Sequence, residues 1–148
     1  MITVKEGNLF DSDTQIIAHQ CNCSGVMGSG VAKEVKIRYP HVYESYRKDY
    51  ESGYLNLGYV NFTEAKPNQI IASFCGQFNY GYDGKQYTDY NAVRISFLKI
   101  ANYMTMNDLK TIAFPYMVCC GRGGANWEMI LWMIEQIFND FNVELWKL

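Results

Sequence analysis

Residues 16–32, IIAHQCNCSGVMGSGVA, constrain the fold more than any other stretch of this chain. Ile16, Ile17 and Ala18 read as the end of a buried strand, and the chain then turns polar through His19, Gln20, Cys21 and Asn22. Gly25, Gly28 and Gly30 follow before Val31 and Ala32 begin a helical pattern. A strand, a glycine-rich turn and a helix in that order suit phosphate binding. Glycine lets the backbone approach a ligand and adopt φ > 0, and a helix N-terminus offers unpaired N–H groups at its positive dipole end. MGSG matches neither the GxGxxG of dinucleotide folds nor the GxxxxGK[ST] of P-loops, so spacing alone leaves a plain structural turn equally open.

A chain of 148 residues suits one domain that buries roughly two-thirds of its unfolded surface. Apolar residues make up 49% and charged residues 19%, enough for a core and unlike a disordered composition. The formal charge of −2 argues against an extended basic nucleic-acid face but leaves room for a local positive field. Twelve tyrosines suggest stacking surfaces as well as core. No apolar run reaches the ~20 residues of a membrane span. The start, MITVKEGNLF, lacks a basic, apolar leader pattern. The expectation is a cytoplasmic protein with no membrane partner.

The five cysteines form a CxC (Cys21, Cys23), a lone Cys75 and a CC pair (Cys119, Cys120). None has the CxxC spacing of a zinc site, so neither metal nor cofactor is expected. They read as reduced thiols packed like small apolar groups. Cys21 and Cys120 stand near expected loops and stay open as nucleophiles.

Strands are expected at 2–5, 15–19, 58–63, 69–74, 111–118 and 142–148. Helices are expected at 31–38, from Pro40 to a stop at Gly53, from 90 to about 103 after Asp89, and from an Asn126 cap to about 139. Val31, Ala32, Val35 and Ile37 mark the first helix, and Val42, Tyr43, Tyr46 and Tyr50 one face of the second. Residues 75–88, CGQFNYGYDGKQYT, read as a long loop, a length often functional in compact domains. A second glycine-rich loop, CCGRGGA, spans 119–125. The order β β α α β β α β α β, without repeat or linker, describes one α/β domain with a mixed sheet and helices on both sides. Ligands of such sheets sit beyond the strand C-termini, and both glycine loops follow a strand and precede a helix. They should share one mouth.

With the loops placed, the chain resembles the macro domain family, which binds ADP-ribose. AHQCN followed by GVMGSGVA looks like that family's first loop, and FPYMVCCGRGGANWE like its second. The pattern His19, Cys21, Asn22, Cys23, Gly25, Gly28, Gly30, Ala32, Arg38, Tyr39, Pro40 is closest to the yeast-type ADP-ribose-1″-phosphate phosphatases. It is also similar to macro domains that remove ADP-ribose from protein or DNA, and small phage and bacterial members share the GQ-Y-DGKQYTDY segment. The resemblance covers essentially the whole chain. It implies a three-layer α/β/α fold on a central mixed sheet of about six strands, and a monomer is expected.

By that resemblance, Asn8 and Leu9 lie where the family contacts adenine, with Asn8 in place of its usual Asp. Asn22 would hold the distal ribose. Val26, Met27, Gly28, Ser29, Gly30 and Val31 would wrap that ribose and the diphosphate. Gly121, Arg122, Gly123, Gly124 and Ala125 would line the opposite side, flanked by Pro115, Cys120 and Asn126. Glycohydrolases of the Lys/Asp type carry Asp where this chain has Gly123 and Lys near Gln77, so covalent lysine chemistry is not expected.

His19 is the candidate acid–base or orienting group, against a plain structural histidine. Asn22 is a fixed partner for a ribose hydroxyl, against a turn-stabilising role. In the long loop, Asp83 is a candidate base and Lys85 could meet a terminal phosphate. Tyr80, Tyr82 and Tyr87 could close over the ligand, and a solvated surface loop is the alternative. Arg122 could pair with the diphosphate bidentately or face solvent. Trp127 and Trp132 read as packing residues. The expected activity is hydrolysis at the distal ribose C1″, first of ADP-ribose-1″-phosphate. The alternatives are release of ADP-ribose from protein or nucleic acid, and non-catalytic ADP-ribose reading.

Overall fold

A computed structural model describes residues 1–81 and 83–148; Tyr82 lies outside the described residues. Among these, six strands form one sheet: β1 (Ile2–Glu6), β2 (Ile16–Asn22), β3 (Val60–Lys66), β4 (Gln69–Gln77), β5 (Thr111–Pro115) and β6 (Asn142–Lys147). The spatial order is β1-β6-β5-β2-β4-β3. All neighbours run parallel except β3, which pairs antiparallel with β4. The helices are α1 (Gly30–Arg38), α2 (Pro40–Glu51), α3 (Tyr90–Met106) and α4 (Trp127–Ile137). A short 3₁₀ turn, Leu9–Asp11, precedes β2.

Alternation along the central strands feeds two cores, one on each face. Ile16 and Ala18 of β2, Ala72 and Phe74 of β4, and Ile112 and Phe114 of β5 pack with Val93, Phe97 and Ile100 of α3 and Ile130 and Ile134 of α4. Ile17 and Cys21, Ile71 and Cys75, and Ala113 face the other way, onto Val35 of α1 and Val42 and Tyr46 of α2. This is the expected three-layer α/β/α arrangement with a mixed sheet. Phe97 is the hub of the first core, with ring centroids 5.4 Å from Phe74 and 5.5 Å from both Phe114 and Phe138.

The element order matches the sequence expectation, and the differences lie at the ends. β2 runs on to Asn22 and β4 to Gln77, so residues read as turn or loop are strand. β5 stops at Pro115, short of Val118, because the chain turns there, with Val118 N donating back to Pro115 O at 3.1 Å. Pro40 ends α1 and supplies the first residue of α2, as expected. Ile37 and Trp132, each 63% exposed, are surface rather than core residues. Trp127 does pack, its ring centroid 5.3 Å from that of Tyr116. Among the described residues no helix is long and apolar enough to cross a membrane.

Candidate functional site

The C-terminal ends of β2, β4 and β5 open on one cavity of about 380 Å³. The parallel ladder of β2 and β4 holds to Cys21↔Cys75, then shifts to Asn22↔Gln77, and this irregularity is where the first loop leaves the sheet. The first loop contributes Val26, Gly28, Ser29, Gly30 and Val31 to the wall. The second contributes Pro115, Tyr116, Met117, Val118, Gly121, Arg122 and Gly123, and the 80s loop contributes Tyr80 and Gly81. The shared mouth read from the sequence is present.

Asn22 builds the first loop. Its Oδ1 accepts from Ser24 N at 2.9 Å and from the Tyr46 hydroxyl at 3.0 Å, and its Nδ2 donates to Val26 O at 2.9 Å. The turn-stabilising role therefore holds. An amide carries two N–H donors, so one remains after the bond to Val26 and can meet a hydroxyl in the cavity. Gly25, at φ +77°, passes under α2: a Cβ there would lie 2.7 Å from Tyr50 Cγ. The loop then enters α1 through Ser29, whose side chain makes no capping bond. The contrast with α3 and α4 is plain, since Asp89 caps Ala92 N and Asn126 caps Met129 N. The N-terminus of α1, with Ser29, Gly30, Val31 and Ala32 in the cavity wall, offers its first-turn amides to an anion.

A polar network fixes the second loop against the sheet. Gln20 Nε2 donates to Gln77 Oε1 at 2.6 Å and to Thr88 Oγ1 at 3.0 Å, and Thr88 Oγ1 donates to Cys119 O at 3.1 Å. Gly123 sits inside this network. A Cβ on it would lie 2.5 Å from both Cys119 O and Thr88 Oγ1, and 2.7 Å from Gln20 Nε2. No side chain fits there, which gives a physical reason for Gly123 where the resemblance sets an Asp.

His19 is 1% exposed, on the α1–α2 face of β2, with Nε2 2.8 Å from Ser73 Oγ and Cys21 Sγ 3.7 Å from Nδ1. Burial pushes its pKa down to about 4, so the ring is neutral at pH 7. It borders the cavity, and burial holds it in the neutral form that the sequence reading assigns to a group orienting or deprotonating a water. Burial likewise raises the thiols of Cys21, Cys119 and Cys120, which removes the option of a ready thiolate. Asp83 is outside the cavity lining. The Tyr87 hydroxyl, 2.8 Å from its Oδ1, holds its carboxyl below the usual range, and the group is exposed.

Several other expected contacts lie outside the wall as well. Asn8 caps the 3₁₀ turn through Phe10 N, and Leu9 is buried in the core. Met27 is buried beneath the first loop, Ala125 joins the α3–α4 core, Asn126 caps α4, and the Cys120 thiol donates to Val118 O. Gly124 lines a neighbouring cavity. Sequence reasoning missed Gln20 and the 116–118 turn as wall residues. A polar residue two positions beyond Ala18 on the same strand face was the available signal for Gln20. Among the described residues, no Asp, Glu or Lys lines the first cavity and no cluster of His, Cys, Asp or Glu could hold a metal ion.

A family model for the macro domain matches residues 18–133 of this chain. The chain belongs to the macro domain family. The DNA ADP-ribosyl glycohydrolase of Mycobacterium tuberculosis is 40% identical to it over 133 residues, 86% of this chain and 36% of that protein. The ADP-ribose 1″-phosphate phosphatase of Aspergillus clavatus is 45% identical over 47 residues, 31% of this chain and 24% of that protein. The chain thus spans about a third of the curated relatives it matches, or less. Thermosipho africanus DarTG in complex with ADP-ribose shares the fold at a TM-score of 0.83 and 20% identity, over 99% of this chain and 41% of that one.

Proposed function

We propose that this domain binds ADP-ribose in the cavity between the two glycine loops and hydrolyses the phosphate ester at C1″ of the distal ribose. The observation that carries the reading is the N-terminus of α1, left without a side-chain cap where it opens on that cavity. Its amides and dipole suit a diphosphate, and Arg122 lines the same wall. The spare Nδ2 hydrogen of Asn22 is the proposed contact to a ribose hydroxyl. With no carboxylate or lysine in the described wall, water attack rests on fixed backbone donors aimed at charge that develops on the phosphoryl oxygens. Water's oxygen bonds to phosphorus, the bond from phosphorus to the C1″ oxygen breaks, and that oxygen takes up the proton that the attacking water gives up. His19 and Ser73 hold the cavity's border in place.

A second reading has support of its own. A relative that matches 86% of this chain is named DNA ADP-ribosyl glycohydrolase, and the same cavity would then cleave a C1″ bond to a base. Against it, the resemblance sets the Lys/Asp pair of that type of glycohydrolase near Gln77 and at Gly123, and neither residue is present in this chain. Phosphate release from ADP-ribose-1″-phosphate, ADP-ribose release from an ADP-ribosylated oligonucleotide, and titration with ADP-ribose separate these readings. Val31→Asp, which sets a carboxylate in the first turn of α1, should abolish ADP-ribose binding while leaving the helix intact. Binding without turnover of either substrate would leave a reader, and full binding by Val31→Asp would refute the placement at α1.

A further inference from the structure

We infer that Tyr46, a core residue behind the first loop, is the positioning residue that fixes the Asn22 amide and with it the site's preference for ADP-ribose over ADP. The inference rests on the ADP-ribose reading proposed above, and it names a residue that acts on that ligand from outside the cavity. Tyr46 stands on the inner face of α2, fully buried, and is not among the residues of the cavity wall. Helical spacing accounts for its ring, which shares the core with Val42 one turn earlier and with Val35 and Ile71. It does not account for the hydroxyl.

That hydroxyl reaches Asn22 twice, at 2.7 Å from its peptide oxygen and 3.0 Å from Oδ1. A phenol has one hydrogen, so the hydrogen lies between two acceptors of a single residue. Burial pushes the Tyr46 pKa above its ordinary value, and the donor is kept at neutral pH. This donor decides which way the amide faces. With Oδ1 toward Tyr46, the same oxygen accepts from Ser24 N at 2.9 Å and Val26 N at 3.4 Å, and Nδ2 donates to Val26 O. Turned end for end, Nδ2 would face the Tyr46 O–H and the Ser24 N–H, donor against donor, and Oδ1 would face Val26 O, acceptor against acceptor. Ser24 and Val26 belong to the loop and move with it, whereas Tyr46 belongs to a helix packed into the core. The bond to the peptide oxygen also holds the backbone where the β2–β4 ladder shifts between Cys21 and Asn22. An amide held in this way is preorganised, so its spare Nδ2 hydrogen meets a ribose hydroxyl without first being ordered. ADP has no distal ribose and gains nothing from it. The other contacts of α2 with the loop fall on Gly25, where Arg47 donates to the carbonyl at 3.1 Å.

The test is calorimetric titration with ADP-ribose and with ADP of the unaltered chain, Tyr46→Phe, Arg47→Gln, Asn22→Ala and the double variant Tyr46→Phe/Asn22→Ala. Phenylalanine keeps the ring in the core and removes only the hydroxyl. Tyr46→Phe should weaken ADP-ribose roughly three- to tenfold, the range of one hydrogen bond, and leave ADP unchanged. Arg47→Gln, which frees the same loop at Gly25, should leave the ratio of the two affinities as it is. On the Asn22→Ala background, Tyr46→Phe should have no further effect on that ratio, because the residue acts through the amide. A second measurement needs no variant: proton NMR of the unaltered chain should show the Tyr46 hydroxyl as a resonance protected from solvent exchange, and its absence would overturn the assignment. A ratio that Tyr46→Phe does not move, that Arg47→Gln moves as far, or that falls again on the Asn22→Ala background would overturn the positioning role and leave the proposed function standing. Failure of the unaltered chain to bind ADP-ribose more tightly than ADP would overturn both.

Discussion

Acidification should destabilise this domain through His19 before its carboxylates matter. The imidazole is fully buried and its pKa lies at about 4, against an ordinary value of 6.5. The unfolded chain therefore binds a proton that the folded chain refuses, over the whole interval between those two values. Stability from the neutral ring is complete above pH 6.5, declines as pH falls, and is lost by about pH 4. Every pH unit that separates the folded from the unfolded pKa is worth about 1.4 kcal/mol, so the loss between about pH 7.5 and 4.5 comes to about 2.5 kcal/mol. That is a large part of the 5–15 kcal/mol typical of a domain. The assay is urea unfolding of the unaltered chain and His19→Gln at half-unit steps across this interval. The glutamine variant starts lower, because it disturbs the Ser73 bond and the packing, but its curve should lack the histidine slope. Parallel pH profiles for the two proteins would refute the assignment of a buried neutral ring.

Two further substitutions test the packing that shapes the site. Gly123→Ala should displace the second loop, since its methyl would meet Cys119 O and Thr88 Oγ1 at 2.5 Å. The expected cost is about 1–3 kcal/mol, visible as a lower Tm together with weaker ADP-ribose binding; an unchanged Tm and Kd would show that the loop has room. Phe97→Ala empties the hub of the four-ring cluster and should cost about 3–5 kcal/mol in denaturant unfolding. A cost below about 1 kcal/mol would show that the cluster collapses around the gap.

The order of strands and helices was legible because its signals are local: period-2 runs, a proline at a helix start, glycines after strands. The C-terminal reach of β2 was not. A parallel strand continues as long as its neighbour continues, and β4 carries the pairing to Asn22↔Gln77 through residues that look like turn. The same blindness hid the site's working parts. His19 reads as a free imidazole until Ser73, 54 residues later, is seen 2.8 Å away. Asn22 reads equally as ligand contact or turn former, and its bonds to Val26 and Tyr46 show that it builds the turn with one donor left over. Asp83 stood among tyrosines and glycines in a loop read as closing over the ligand, yet its carboxylate is held by Tyr87 outside the wall. The two glycine loops were the strongest sequence signal, and they do line one cavity. What a glycine excludes is legible only in three dimensions, as Gly123 shows.

The knot of Gln20, Gln77, Thr88 and Gly123 bears on how such a domain can change over generations. Glycine at 123 is enforced by the oxygens of Thr88 and Cys119 and by the Gln20 amide, while Gln77 is bound to that same amide. A lineage that exchanged Gln77 for a lysine would remove the acceptor of the Gln20 amide, and one that exchanged Gly123 for an aspartate would collide with Thr88 and with Cys119 O. Smaller residues at 88 and 20 would relieve only the side-chain contacts; Cys119 O belongs to the backbone, so the second loop itself must shift before a side chain at 123 can be held. In a variant library at these four positions, Gly123→Asp should lower Tm on every background, and least where Thr88 and Gln20 are already smaller.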